Sequence, residues 1–210
     1  MKRYAQMERR CLADLLDQLG PDAPTLCEGW TTRDLAAHLV VRERRPDAAA
    51  GLVLPQLRAY GERVRRHRAG LNYLRLVDQV RQPPWWSPIS NPLTDAIVNG
   101  LEMFVHHEDV RRAQPDWQPR DLPAAYQLAI WDRVGGVGRF ALRNFSASVL
   151  LEAPGWGQHR AGRGGAQRIR VVGAPAELLM FLSGRQRATQ TALHGPTDQV
   201  EQIKRAKLGF

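Results

Sequence analysis

The sequence has only two cysteines, Cys11 and Cys27, in 210 residues, too few for the disulfide framework of a small secreted domain. It has no apolar run that approaches the roughly 20 residues of a membrane-spanning helix. Its first ten residues, MKRYAQMERR, contain no apolar stretch of the kind that a secretory signal needs. These absences predict a soluble, cytoplasmic protein that does not bind membranes.

Lysine is scarce, because only three of the 30 basic residues are lysines and the rest are arginines. Against 21 acidic residues this gives a net charge of +9, which by itself would suit a nucleic-acid-binding protein. An arginine bias also follows from the codons of a GC-rich genome, and no known nucleic-acid-binding motif accompanies the charge. Nucleic-acid binding therefore ranks last among the functions considered below.

Apolar side chains recur at helical spacing through the first 145 residues, and these residues predict a bundle of about four long helices. The segments with this spacing are 3–19, 33–44, 55–82 with a break near Gly70, 92–113, and 122–145. Thr31 with Asp34 gives a helix-start signal for the second segment, and Asn91 with Pro92 gives one for the fourth. The fold class is therefore mainly α.

The pattern changes after Phe145. Residues 147–151 and 168–172 have the composition of strands, and Gly162–Gly165 between them predicts a hairpin turn. Short helices follow over 174–182 and about 197–207. We expect two domains, a helical bundle over residues 1–145 and a small C-terminal α/β segment over 146–210.

One glycine-rich stretch invites a different function. Residues 136–141, GVGRFA, fit the spacing of a dinucleotide-binding loop. That loop follows a strand in nucleotide-binding folds, whereas here the stretch continues a helical pattern. We attribute its glycines to close packing of the helix.

The strongest candidate for chemistry is a carboxylate and an imidazole on one helix face. Glu102 and His106 are four residues apart, so both side chains point the same way and supply two ligands for a divalent ion. His38 interrupts an apolar run and could supply a third. Two simpler interpretations stay open: an exposed Glu102–His106 ion pair, and a core His38 that is satisfied by a hydrogen bond.

Three neighbouring residues have open roles. His107 is turned about 100° from His106 around the helix axis, so it should miss the same ion. Asp109 lies nearly on the face of His106, where it could orient that ligand or pair with Arg112. Cys27 could be a fourth ligand, a nucleophile, or a small apolar filler beside Trp30.

Three segments resemble one family. Residues 26–39, LCEGWTTRDLAAHL, resemble the N-terminal signature of the mycothiol-dependent maleylpyruvate isomerases, which are DinB-like metal-binding four-helix bundles of actinobacteria. Residues 102–110 are similar to the family's second signature. The segment 173–185 resembles its small C-terminal domain. The chain looks more like an uncharacterised branch of this family than like the isomerase itself.

The resemblance implies a set of site residues. His38, Glu102 and His106 would bind a divalent metal, expected to be zinc, with water or a thiol completing the coordination. Arg185 would match an arginine that the C-terminal domain places near the active site, where it would bind a carboxylate bidentately. Mycothiol would be the low-molecular-weight thiol.

A thiol at the open metal position ionises, because coordination favours the thiolate. Attack on a cis-alkene conjugated to a carbonyl would give the trans isomer, and attack on an electrophile with a leaving group would transfer sulfur. The predicted function is therefore a metal-dependent, mycothiol-using isomerase or S-transferase, working as a monomer or homodimer on a small electrophile. The alternatives are a non-catalytic metal-binding protein and, last, a nucleic-acid-associated protein.

Overall fold

The chain forms two compact units, residues 1–117 and 118–210, in a computed structural model that describes residues 2–49, 54–86, 100–164 and 168–209. Helices dominate, and the one four-stranded sheet of the described residues lies near the C-terminus. The predicted class, mainly α with a small C-terminal α/β segment, is confirmed. Within the described residues, no helix is both long enough and apolar enough to cross a membrane.

The first unit is helical. Its helices are α1 (Lys2–Leu19), α2 (Thr32–Arg44), the single turn α3 (Pro46–Ala49), α4 (Arg58–Ala69), α5 (Tyr73–Arg81) and α6 (Gly100–Arg111). The segment predicted over 55–82 is two helices, and the break falls at Gly70 as its glycine predicted. Asn72 then caps α5, because its side chain accepts the Arg75 N–H at 3.1 Å. The predicted start of a helix at Pro92 lies outside the described residues.

The core of this unit lies mainly between α1, α2, α5 and α6. Leu12, Leu16, Leu35 and Leu39 are completely buried in it. Removing one such side chain from water is worth about 2 kcal/mol, so the apolar stripes of α1 and α2 supply much of the stability. The packing of these stripes fixes the helices in place, and with them the distance between the polar residues of α2 and α6.

Helix α2 begins where the sequence predicted. The Thr31 N–H donates to the Asp34 carboxylate at 3.1 Å, which is one half of the reciprocal cap expected for this pattern. The first turn therefore starts in a fixed position. That position sets the direction of His38, which lies less than two turns further along.

The second unit packs two helices on a mixed sheet. Its elements are α7 (Ala124–Ala141), β1 (Ser148–Ala153), β2 (Gly157–Ala161), β3 (Arg168–Val172), α8 (Pro175–Leu182), β4 (Ala192–His194) and α9 (Thr197–Arg205). The strand order is β2-β1-β3-β4. Strands β1 and β3 are parallel, and the two outer pairs are antiparallel.

The hairpin predicted at Gly162–Gly165 is wrong. The two predicted strands are parallel neighbours, so no tight turn can join them. The strand that pairs antiparallel with β1 is β2, which the sequence analysis missed. Its sequence, GQHRA, has no apolar alternation because most of its side chains are exposed.

The units divide after Trp117, whereas the predicted boundary followed residue 145. The reason is that α7 packs on the C-terminal sheet. A Cβ placed on Gly138 would lie 2.6 Å from Leu151 on β1, and one on Gly135 would lie 2.8 Å from the His159 ring on β2. Close packing explains Gly138, while Gly136 has no atom within 4 Å of such a position.

Candidate metal centre

A tight turn precedes α2 and positions Cys27. The Trp30 N–H donates to the Cys27 carbonyl at 2.9 Å, which closes a turn over the motif CEGW. Gly29 has a φ of +74°, a conformation that glycine adopts without steric cost, so a glycine is required there. The Leu26 N–H donates to the Asp109 carbonyl at 3.0 Å and ties this turn to the end of α6.

The predicted ligands lie on two helices that are buried on almost every side. Ten of the 13 residues of α2 and ten of the 12 residues of α6 are buried, so neither helix has a distinct polar face. His38 on α2 and His106 on α6 have ring centroids 5.3 Å apart. Burying polar groups is costly unless they are paired, so these imidazoles need partners.

Glu102 lies at the centre of the cluster. Its Oε1 is 3.2 Å from His106 Nε2 and 3.7 Å from His38 Nε2. One donor atom from each of the three residues lies within 4.8 Å of the others. Donor atoms about 2.1 Å from a tetrahedral ion are about 3.4 Å from one another. The donor types and their spacing therefore fit a divalent ion such as zinc.

The other ring nitrogen of His106 has its own carboxylate. Nδ1 lies 3.0 Å from Asp109 Oδ2, and since a carboxylate only accepts, Nδ1 carries the proton. The Cys27 thiol donates to the same oxygen at 3.2 Å. A carboxylate that receives the outer N–H of a histidine fixes its tautomer and its ring orientation. Asp109 therefore aims Nε2 of His106 at Glu102.

The position of Cys27 narrows its possible roles. Among the described residues, its sulfur groups with His106 and Asp109 as possible metal donors, and not with His38 and Glu102. Its side chain also packs against the core next to Trp30, as the filler interpretation expected. Cys27 thus contacts both Asp109 and His106, contacts that sequence spacing could not reveal.

Electrostatics favour the ionised form of Glu102. Burial raises the pKa of this carboxyl, but hydrogen bonds from His106 and His38 and the charge of Arg42 outweigh burial and hold the pKa well below its usual value. Burial also lowers the pKa of His38, which leaves that imidazole neutral. A carboxylate and a neutral imidazole are the protonation states that a metal requires.

His106 behaves differently. Burial lowers its pKa, but hydrogen bonds with Asp109, Cys27 and Glu102 raise the pKa well above its usual value. The metal-free cluster therefore holds His106 as an imidazolium between two carboxylates. A metal ion must displace the proton on Nε2.

Arg42 belongs to the cluster and was missed from the sequence. Its Nε lies 3.4 Å from Glu102 Oε1, and its side chain is buried. The signal was present, because Arg42 follows His38 by four residues and so shares its face of α2.

The remaining predicted residues lie elsewhere. His107 Nδ1 lies 2.5 Å from a Glu8 carboxylate oxygen, so His107 pairs with α1 and is in neither donor group. Arg185 lies in the second unit, directly after α8, where its guanidinium donates to the Ser183 carbonyl. The structure thus brings together His38, Glu102 and His106 within the first unit.

Comparisons with known proteins concern part of the sequence and the fold. The family model of the mycothiol maleylpyruvate isomerase N-terminal domain matches residues 5–82. The crystal structure of the mycothiol-dependent maleylpyruvate isomerase is similar in fold, with a TM-score of 0.62 and 15% identity over 91% of this chain and 90% of that one. A histidine-to-alanine mutant of that isomerase gives the same TM-score at 14% identity, over 91% of each chain. No curated protein matches the chain.

Proposed function

We propose that this chain, whose residues 5–82 match the family model of the mycothiol maleylpyruvate isomerase N-terminal domain, is a metal-dependent enzyme that uses a low-molecular-weight thiol. The observation that carries the proposal is the cluster of His38, Glu102 and His106, whose donor atoms lie within 4.8 Å of one another. The resemblance predicted these three residues, and they meet from two different helices.

The three residues would hold a divalent ion, and zinc suits their nitrogen and oxygen donors. When bound, the ion would supply an open position at which a thiol ionises near neutral pH. Three protein donors are the arrangement of catalytic zinc sites, whereas structural sites use four. This count supports catalysis over a purely structural role.

The surrounding residues have defined tasks in this proposal. Asp109 keeps the proton on Nδ1 of His106, so that Nε2 is the nitrogen available to the ion. Arg42 lies beside Glu102 and stabilises its negative charge. The side chains of the three donor residues are largely buried, which strengthens these interactions.

We assign mycothiol as the thiol and a small electrophile as its partner, in the cytoplasm of an actinobacterium. Arg185, an arginine of the second unit, would bind a carboxylate of the electrophile as a bidentate pair. Of the two reaction types, cis–trans isomerisation has the additional support of the isomerases that share this fold.

A turnover assay tests the proposal. The zinc-loaded protein is mixed with mycothiol and a panel of electrophiles, half of them cis-alkenes conjugated to a carbonyl and half carrying a leaving group. We expect conversion that requires both the metal and the thiol. The Glu102→Gln variant should show no conversion. Replacing Arg185 with Gln should raise KM for carboxylate substrates while the metal content stays full. Metal binding without conversion of any electrophile would instead identify a non-catalytic metal-binding protein.

A further inference from the structure

The excess positive charge of the chain lies almost entirely in its second unit. Residues 118–210 contain 13 Lys and Arg against six Asp and Glu, a net charge of +7, while residues 1–117 contain 17 against 15. None of these residues is a donor of the metal cluster, which belongs to the first unit. The second unit therefore has the electrostatic character of an anion-binding surface.

Part of this charge surrounds a pocket of about 480 Å³ at one end of strands β1 and β2. Three arginines line it: Arg139 from α7, Arg160 from β2, and Arg163 from the loop that follows β2. The Ser148 hydroxyl group adds a hydrogen-bonding group at the start of β1. No acidic residue is among the described residues that line the pocket.

The loop side of the pocket is held in one conformation. Gly162 has a φ of +83°, and a Cβ there would lie 2.2 Å from the Ala147 carbonyl oxygen, so only glycine fits. The Arg163 N–H donates to the Phe145 carbonyl at 3.0 Å. The Arg163 side chain donates to the Arg143 carbonyl at 3.0 Å and to the Asn144 side chain at 3.1 Å. The third arginine is therefore fixed at the pocket before any ligand arrives.

The other two arginines have no acidic partner within the described parts of the chain. Arg139 and Arg160 are exposed, and neither forms an ion pair there. The acidic residue of β1, Glu152, lies opposite Gln158 on β2 and pairs with Arg170 on β3. Arg160 lies opposite Leu150 instead. Two guanidinium groups thus face the pocket with no acidic partner among the residues that the structure describes.

From these observations we infer that this pocket binds a small, multiply charged anion that carries phosphate groups. Guanidinium groups recognise phosphate oxygens through paired, charge-assisted hydrogen bonds. A volume of about 480 Å³ lies within the range of small-molecule sites, which are about 300 to 1,000 Å³. The three arginines converge on this one pocket, which favours a small molecule over a nucleic-acid backbone, because a backbone would also contact the arginines further along the sheet. The inference is independent of the proposed function, because no residue is shared with the metal cluster.

Calorimetric titration with inorganic pyrophosphate at constant ionic strength tests the inference. We expect saturable binding at millimolar concentration or below, with about one site per chain, and at least a tenfold increase in Kd for the double variant Arg139→Gln/Arg160→Gln. The matched control is Arg168→Gln, an exposed arginine of β3 outside the pocket, which should leave Kd unchanged. Circular dichroism of each variant verifies that the fold is retained.

Three results would overturn the inference: no saturation by pyrophosphate, an equal weakening in the Arg168→Gln control, or tighter binding of a single-stranded DNA oligonucleotide that Arg168→Gln also weakens. The last result would show that the whole basic sheet face binds polyanions. A parallel titration with chloride in place of pyrophosphate, at the same ionic strength, separates specific binding from screening of the positive charge.

Discussion

His106 and Asp109 form a buried pair in which Nδ1 lies 3.0 Å from the carboxylate, and this contact determines which nitrogen of His106 faces the metal cluster. The two residues are three positions apart on α6, so one helical turn holds both the donor and the group that orients it. The opposite nitrogen then lies 3.2 Å from Glu102. The site is therefore preorganised by a residue that need not touch the ion.

Replacing Asp109 with Asn should weaken zinc binding about 10- to 100-fold, because the neutral amide accepts a weaker hydrogen bond from the Nδ1–H of His106 than the carboxylate does. The Kd for zinc is measured by competition with a chromophoric chelator. The change is nearly isosteric, so the helix content should remain. An unchanged Kd would show that Asp109 does not orient His106.

The thiol of Cys27 should act through its hydrogen bonds to Asp109 and His106 and should not bind the ion. The Co²⁺-loaded protein, without added thiol, is therefore expected to lack the near-ultraviolet charge-transfer band of a cobalt–thiolate bond. Cys27→Ser keeps a hydrogen-bond donor for Asp109, and its Kd for zinc should stay within about tenfold of the original value.

The second cysteine supplies the control for that experiment. Cys11 is exposed on α1, so Cys11→Ser should leave the cobalt spectrum and Kd unchanged. A charge-transfer band that disappears in Cys27→Ser and persists in Cys11→Ser would make Cys27 a ligand and contradict its assignment here.

Zinc affinity should increase with pH through the range above 6.5. The pKa of His106 is raised well above its usual value, so the metal-free protein carries a proton on Nε2 that the ion must displace. As pH falls, proton competition grows and affinity decreases; as pH rises through the raised pKa, competition ends. Calorimetry in buffers of different ionisation enthalpy should detect about one proton released per ion at pH 7. An affinity that stays constant from pH 6.5 to pH 8 would refute the protonated state of His106.

Two glycines on α7 should respond oppositely to alanine. Gly138→Ala places a methyl group 2.6 Å from Leu151, and such overpacking costs about 1 to 3 kcal/mol. Gly136→Ala meets no atom within 4 Å, and replacing glycine inside a helix gains about 0.5 to 1 kcal/mol. Urea denaturation of both variants gives the free energies of unfolding. Equal effects of the two changes would contradict the packing of α7 on the sheet.

The local features of the fold could be predicted from the sequence. The start of α2 follows from the Thr31–Asp34 pattern, and the break before α5 follows from Gly70. Both depend only on residues within one or two helical turns. The missed strand β2 has a polar sequence that resembles a loop, and it becomes a strand only because β1 offers its hydrogen bonds.

The part of the candidate site that lies within one helix could also be predicted from the sequence. The spacing of Glu102 and His106 reveals their shared face. The meeting of Cys27 with Asp109 joins residues 82 positions apart and depends on the turn at Gly29. Helical geometry placed Asp109 near the face of His106 and turned His107 away from it, as the structure has them. Their partners Cys27 and Glu8 come from distant segments, which spacing along one helix does not reveal.

The metal content of the purified protein tests the central claim most directly. Elemental analysis of the wild-type chain should give about one zinc or similar ion per chain, and His38→Ala should lose it while its circular dichroism keeps the helical signal. His67→Ala, which removes an exposed histidine of α4, is the matched control and should retain the ion. A full complement of metal in His38→Ala, or no metal in the wild-type protein even after supplementation, would contradict a site formed by His38, Glu102 and His106.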